Sequence, residues 1–194
     1  MGRQRTQPRC ARCRLLDTDC VCALLWPVAS RTRVVLVPHV REWRQPSNTG
    51  RLAVLGLWNS ELAVWGRRAP RLDPSLLLRE GETHLLLHPS EGAAPIAPIE
   101  GRVRLLVPDG SWRRAGRIAR RLAALPGVQP VRVEVGPHAR LRRAPSPDKV
   151  HTAAAIAAAL EALGDVDAAA ALRASSEAMI ARQLSARSSS SGLP

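Results

Sequence analysis

Arg102-Val103-Arg104-Leu105-Leu106-Val107-Pro108-Asp109-Gly110-Ser111-Trp112 is the stretch that decides the fold. The apolar run at 102–107 has the length of a strand and stops at Pro108. A short loop of small and polar residues follows. From Trp112 onward the apolar spacing changes, with Ala115, Ile118, Ala119, Leu122 and Leu125 recurring at helical intervals over 112–125. Arg113, Arg117, Arg120 and Arg121 lie towards the other face, and Pro126-Gly127 ends the helix. A strand that turns straight into an amphipathic helix is the start of a strand–helix–strand unit.

The flanking sequence extends that pattern. Short apolar runs at 31–38, 62–65, 83–87 and 131–135 read as strands. The run at 31–38 is continuous, as expected of a strand buried on both faces. Pro46-Ser47-Asn48-Thr49-Gly50 is a turn cluster, with Ser47 or Asn48 as an N-cap, before a helix at 51–58. Its apolar side is Leu52, Leu55 and Gly56. Alanine-rich helices are expected at 150–163 and 166–184, split by Gly164-Asp165, with Asp165 capping the second. Strands alternating with helices indicate an α/β fold with a mostly parallel sheet covered on both faces. The expected organisation is a cysteine module at 1–26, the α/β domain at 27–186 and a disordered Ser-rich tail at 187–194.

Cys10, Cys13, Cys20 and Cys22 are all the cysteines of the chain, in a Cys-x2-Cys-x6-Cys-x-Cys pattern. Four thiolates so close in sequence suit one tetrahedral ion, and structural zinc is the commonest case. Arg9, Arg12 and Arg14 would favour the deprotonated thiols. Two disulfides in a secreted knot fit poorly, because a long cysteine-free chain able to build its own core follows. The single spacer in the last pair departs from a generic zinc ribbon. No apolar run approaches the length of a membrane span, and the residues before Cys10 do not resemble a signal peptide. Cytoplasmic location is the resulting expectation.

The formal net charge is +13, and of the 29 basic residues only Lys149 is lysine. Guanidinium grips phosphate in a fork, so the arginine excess points to a polyanion such as RNA. A GC-rich genome would explain the Arg/Lys ratio but not the net charge.

In a parallel sheet the ligand site lies beyond the carboxyl ends of the strands. The loops expected there are His88-Pro89-Ser90-Glu91-Gly92-Ala93, then Pro108-Asp109-Gly110-Ser111-Trp112, then Leu141-Arg142-Arg143-Ala144-Pro145-Ser146 leading to His151-Thr152. Small residues with a few polar side chains let backbone groups approach a cofactor closely. Asp109 can cap the helix that starts near Trp112, or aim a carboxylate into the cleft. Trp112 can pack in the core or stack on a base. The five histidines lack metal-ligand spacing. Ser90 and Thr152 have no hydrolase-triad partners in view. With neither a GxGxxG nor a Walker A signature, dinucleotide and NTP sites have no support.

Four segments in order carry a family resemblance. They are the cysteine pattern, Ser47-Asn48-Thr49-Gly50, Leu86-Leu87-His88-Pro89-Ser90-Glu91, and Asp109-Gly110-Ser111-Trp112. Together they resemble the DTW-domain family, named for an Asp-x-[Thr/Ser]-Trp segment, over about residues 9–165. That resemblance implies a SPOUT-like fold with a C-terminal trefoil knot and S-adenosylmethionine as group donor. It implies transfer of the 3-amino-3-carboxypropyl group to N3 of a tRNA uridine, with release of methylthioadenosine. By position, Asp109 would be the catalytic or orienting carboxylate. Pro89, Ser90, Val107, Pro108, Gly110, Leu141, Arg142, His151 and Thr152 would bind the cofactor. Asn48, Thr49 and Arg51, with Trp112, Arg113, Arg117 and Arg120, would serve substrate and RNA. The family often shows Ser-Thr-x-Glu-Ala near the last loop, whereas His151-Thr152-Ala153-Ala154-Ala155 stands here, with Ala154 in place of the acid. A methyltransferase with the same knot and a non-catalytic zinc-containing RNA-binding protein are the competing readings. Monomer and homodimer both remain open.

Overall fold

The computed structural model describes residues 8–135 and 150–190. Six strands form one sheet: β1 (Arg33–Pro38), β2 (Ser60–Leu62), β3 (Glu82–Leu87), β4 (Ala94–Pro95), β5 (Arg102–Asp109) and β6 (Val128–Arg132). Their order is β2-β1-β5-β3-β6-β4, and every neighbouring pair is parallel. The expectation of a mostly parallel sheet is thus met by an entirely parallel one. The helices are α1 (Val40–Trp43), α2 (Arg51–Gly56), α3 (Trp112–Ala123), α4 (Thr152–Ala162) and α5 (Val166–Ser190).

Alternation along the central strands divides the core in two. Val34 and Leu36 of β1, Leu85 and Leu87 of β3, and Leu105 and Val107 of β5 face a cluster with α2, α4 and α5. Val35, Val37, Leu86 and Leu106 face Ile118, Ala119 and Leu122 of α3. Both faces are covered, which is why these strands read as unbroken apolar runs. The amino ends of the strands are held by charge. Arg104 is 2% exposed and reaches Glu82 at 2.6 Å and Glu61 at 2.8 Å. Among the described residues no helix is long and apolar enough to cross a membrane.

Several expectations shift. The strand expected at 62–65 is β2, which pairs from Ser60 with Val34; Trp65 makes only a bridge to His39. The strand expected at 131–135 begins at Val128. Gly127, at φ +75°, turns the chain directly into its pairing with His84. Pro130 fits inside β6 because the short β4 pairs only with Val131 and Arg132. α2 ends at Gly56 because Leu57 is already extended. The last helix continues to Ser190, through part of the segment expected to be a tail. Asp165 does not direct its carboxylate to its own helix. Its two oxygens accept N–H bonds from Arg31 at 2.7 Å and Thr32 at 3.0 Å, fastening the α4–α5 corner to the start of β1.

The cysteine segment is not a separate appendage. Cys13, Leu15, Val21 and Leu25 are buried in the same cluster as α2, α4 and α5. The expected trefoil knot is not traced, because the chain between β6 and α4 includes residues 136–149, outside the described residues.

Candidate functional site

Parallel pairing brings the carboxyl ends of β1, β3 and β5 to one edge. Pro38 stands opposite Asp109 in the register, so Asp109 is the last residue of a central strand. The helix α3 is preceded by Ser111, which makes no side-chain cap bond. Asp109 is 5% exposed. One carboxylate oxygen accepts a hydrogen bond from Thr152 Oγ1 at 2.6 Å, and the other accepts from Asn48 Nδ2. The carboxylate therefore joins the starts of α2 and α4 to the end of β5.

Each partner is placed by its own local structure. Asn48 Oδ1 accepts the Arg51 backbone N–H at 3.0 Å, but the residue at the cap position of α2 is Gly50, not the expected Ser47 or Asn48, and it makes no side-chain cap bond. Thr49 Oγ1 accepts the Ala153 N–H at 3.4 Å. Gly50 lies between them. A Cβ there would stand 3.0 Å from Leu36 Cδ1 and 3.1 Å from Thr152 Cγ2. α4 is capped by His151, whose Nδ1 accepts the Ala154 N–H at 3.2 Å.

A cleft opens beside this junction. Leu87, His88 and Pro89 line it from the end of β3, and Val107, Pro108 and Gly110 from the end of β5. Trp112 and Ala115 of α3, Thr152 and Ala155 of α4, and Arg132 and Val133 after β6 complete the wall. Among the expected cofactor residues, Pro89, Val107, Pro108, Gly110 and Thr152 meet here. Ser90 and His151 are nearby in sequence but do not line it. Leu141 and Arg142 lie outside the described residues. Trp112, expected on the substrate side, lines the same cleft. Arg132 was not anticipated, because its segment reads only as a strand.

Asn48, Thr49 and Arg51, expected to serve substrate and RNA, are 6%, 5% and 2% exposed. Their polar atoms are engaged within the protein. Arg51 donates to the carbonyls of Cys13 at 3.3 Å and Gln45 at 3.5 Å, and to that of Trp43. Its guanidinium carbon sits 4.4 Å from the centre of the Trp43 ring. Burial, then the charge of Arg14, lowers its pKa to about 10, which leaves it charged at neutral pH. Arg113, Arg117 and Arg120 are exposed on α3, as their spacing predicts.

Arg51 connects this junction to the cysteines. The Cys10 and Cys22 sulfurs are 3.6 Å apart, those of Cys13 and Cys20 3.8 Å, and all four lie within 4.8 Å of one another. A tetrahedral ion with metal–sulfur bonds of ~2.3 Å has sulfur–sulfur edges of about 3.8 Å. The four atoms can therefore hold a metal ion. Backbone N–H groups, that of Cys13 foremost, lower the Cys10 pKa to about 6. Burial, followed by the neighbouring thiols, pushes Cys22 up to about 12. Such a set resists full deprotonation until a cation supplies the opposing charge.

The DTW domain is the family whose model matches the chain, over residues 7–184. No solved structure matches it.

Proposed function

The chain belongs to the DTW-domain family, and from that premise we propose that it transfers the 3-amino-3-carboxypropyl group of S-adenosylmethionine to N3 of a uridine in tRNA, releasing methylthioadenosine. The observation that carries this reading is the cleft at the carboxyl ends of β3 and β5, walled by Pro89, Pro108, Gly110 and Thr152 and braced by the Asp109–Thr152–Asn48 junction. That is where an all-parallel sheet takes its ligand.

Leu87, Val107, Ala115 and Ala155 would receive the apolar part of the donor. Arg132 is the arginine in the cleft wall among the described residues, and a guanidinium suits the donor's carboxylate. When bound, S-adenosylmethionine supplies a carbon activated by the adjacent sulfonium. The protein then has mainly to orient the reactants and exclude water. In this account Asp109 is a positioning residue. It is 5% exposed and stands behind the residues that line the cleft, so it acts through Thr152 and the two helix starts and does not itself take the uridine proton. Loss of the family's usual acid at Ala154 leaves α4 able to start normally, because His151 caps it.

Zinc is the ion we assign to Cys10, Cys13, Cys20 and Cys22, since it takes four sulfurs at these spacings. A reducing cytoplasm would keep those thiols available. The SPOUT-type knot belongs to the same proposal.

Isotope placement tests the reaction. With tRNA and donor labelled at the carboxyl carbon, label should enter the RNA. With donor labelled at the methyl carbon, the RNA should stay unlabelled. The reverse pattern would make the protein a methyltransferase, and no label in either case would leave a non-catalytic RNA-binding protein.

A further inference from the structure

A second cavity lies beside the cleft, on the other side of the first turns of α3. It is lined by His39, Trp65 and Gly66 on one wall and by Arg114, Arg117 and Arg121 on the other. Gly110 packs close to Arg114, which lines the second cavity. Gly110 itself lines the cleft, and a Cβ on it would stand 3.2 Å from Arg114 Cβ.

The two walls differ in chemistry. Arg114 is paired with Glu42 at 2.8 Å, whereas Arg117 and Arg121 have no acidic partner among the described residues. Trp65 is half-buried, packed on one side against the core beneath α3, and its backbone bonds Pro38 and Val40 at 2.8 Å each. His39 Nδ1 accepts the Arg41 N–H at 3.2 Å, so in the neutral ring Nε2 carries the proton. Gly66 has φ +81°, and a Cβ there would meet that Nε2 at 3.1 Å. Burial first, and then Arg114, lowers the His39 pKa, which favours the neutral ring.

We infer that this groove seats a single-stranded ribonucleotide next to the reacting uridine, with its base on Trp65 and its phosphates on Arg117 and Arg121. The inference rests on the RNA substrate of the proposed function. An aromatic face with unpaired guanidiniums is what single-stranded RNA uses, and stacking tolerates any base. The His39 Nε2–H adds one donor for a base edge or ribose.

The test is fluorescence anisotropy with a labelled, short single-stranded oligoadenylate and no S-adenosylmethionine. Trp65→Leu should weaken binding about tenfold or more, and Trp65→Phe should retain most of the affinity. Arg117→Ala with Arg121→Ala should flatten the log–log salt slope by about 1.4, the value for two lost contacts on a single strand. Thermal melts establish that each variant is folded. Wild-type affinity in a folded Trp65→Leu variant, or an unchanged slope in the arginine variant, would overturn the groove. Polyglutamate binding that is lost in Trp65→Leu and in the arginine variant, with oligoadenylate insensitive to both, would reassign the groove to an acidic protein. Transfer activity is scored separately. A groove that binds in a protein without transfer would sink only the reaction, and transfer with an insensitive Trp65 would sink only the groove.

Discussion

The carboxylate at position 109 has two donors, and substitution can separate charge from hydrogen bonding. In Asp109→Asn the carbonyl oxygen can still accept from Asn48, and the amide can donate to Thr152 Oγ1, since a hydroxyl plays either part. The fold should survive with a loss of about 1 kcal/mol, and transfer should fall less than about tenfold. Asp109→Ala leaves two inward-facing donors and should cost about 2–4 kcal/mol, with transfer reduced far more. Denaturant melts and single-turnover transfer read the two effects, and an inactive but fully stable Asn variant would restore Asp109 as the base. Arg132→Ala should weaken S-adenosylmethionine binding by about tenfold in calorimetry, with Arg132→Lys recovering part of it; no change would remove Arg132 from the donor site. Asp109 and Thr152 were legible as candidates because both fall at expected strand or helix ends. Their contact was not. Asn48 is 61 residues away from Asp109 and Thr152 is 43, so local spacing could not bring them together. Arg51 was placed by the family resemblance alone, and only the fold reveals the carbonyls that hold it in the interior.

Arg51 makes α2 the link between the cysteines and the junction at Asp109. Arg51→Met keeps the bulk but leaves the carbonyls of Cys13, Gln45 and Trp43 without their guanidinium. We predict a loss of about 3 kcal/mol in denaturant unfolding, together with faster loss of metal to a chelator. Wild-type metal retention would mean that the cysteines hold their geometry without α2. On α3 the exposed arginines carry a different prediction. Replacing Arg113, Arg117 and Arg120 with Ala should weaken tRNA binding and lower the salt slope by about one unit per lost phosphate contact, leaving donor affinity unchanged. An unaltered slope would move the RNA surface elsewhere. β3, β5 and α3 could be read from sequence, the strands as unbroken apolar runs bounded by turn residues and the helix by its apolar period. α1, at four residues, and β4, at two, are too short to carry a period and exist through tertiary pairing. β6 was displaced because Pro130 argues against a strand unless its outer edge is nearly bare.

Across the whole molecule the cysteine segment and the sheet share one core, so metal and fold should fail together. Cys10→Ser with Cys13→Ser should abolish zinc binding and lower the melting temperature of the entire domain in a single transition, because Cys13, Leu15, Val21 and Leu25 pack with α2, α4 and α5. A separate low-temperature transition with the main one unmoved would make the segment an independent module, which is how the sequence alone reads. Charge pattern and fold class were accessible from composition and periodicity, whereas this shared core depends on apolar residues scattered between the thiols. Which group is transferred, and to which atom, is decided by mass spectrometry of nucleosides and small-molecule products after tRNA is incubated with the protein and S-adenosylmethionine. We expect N3-aminocarboxypropyl-uridine and methylthioadenosine in equal amounts; methylated nucleoside with S-adenosylhomocysteine would overturn the proposed transfer.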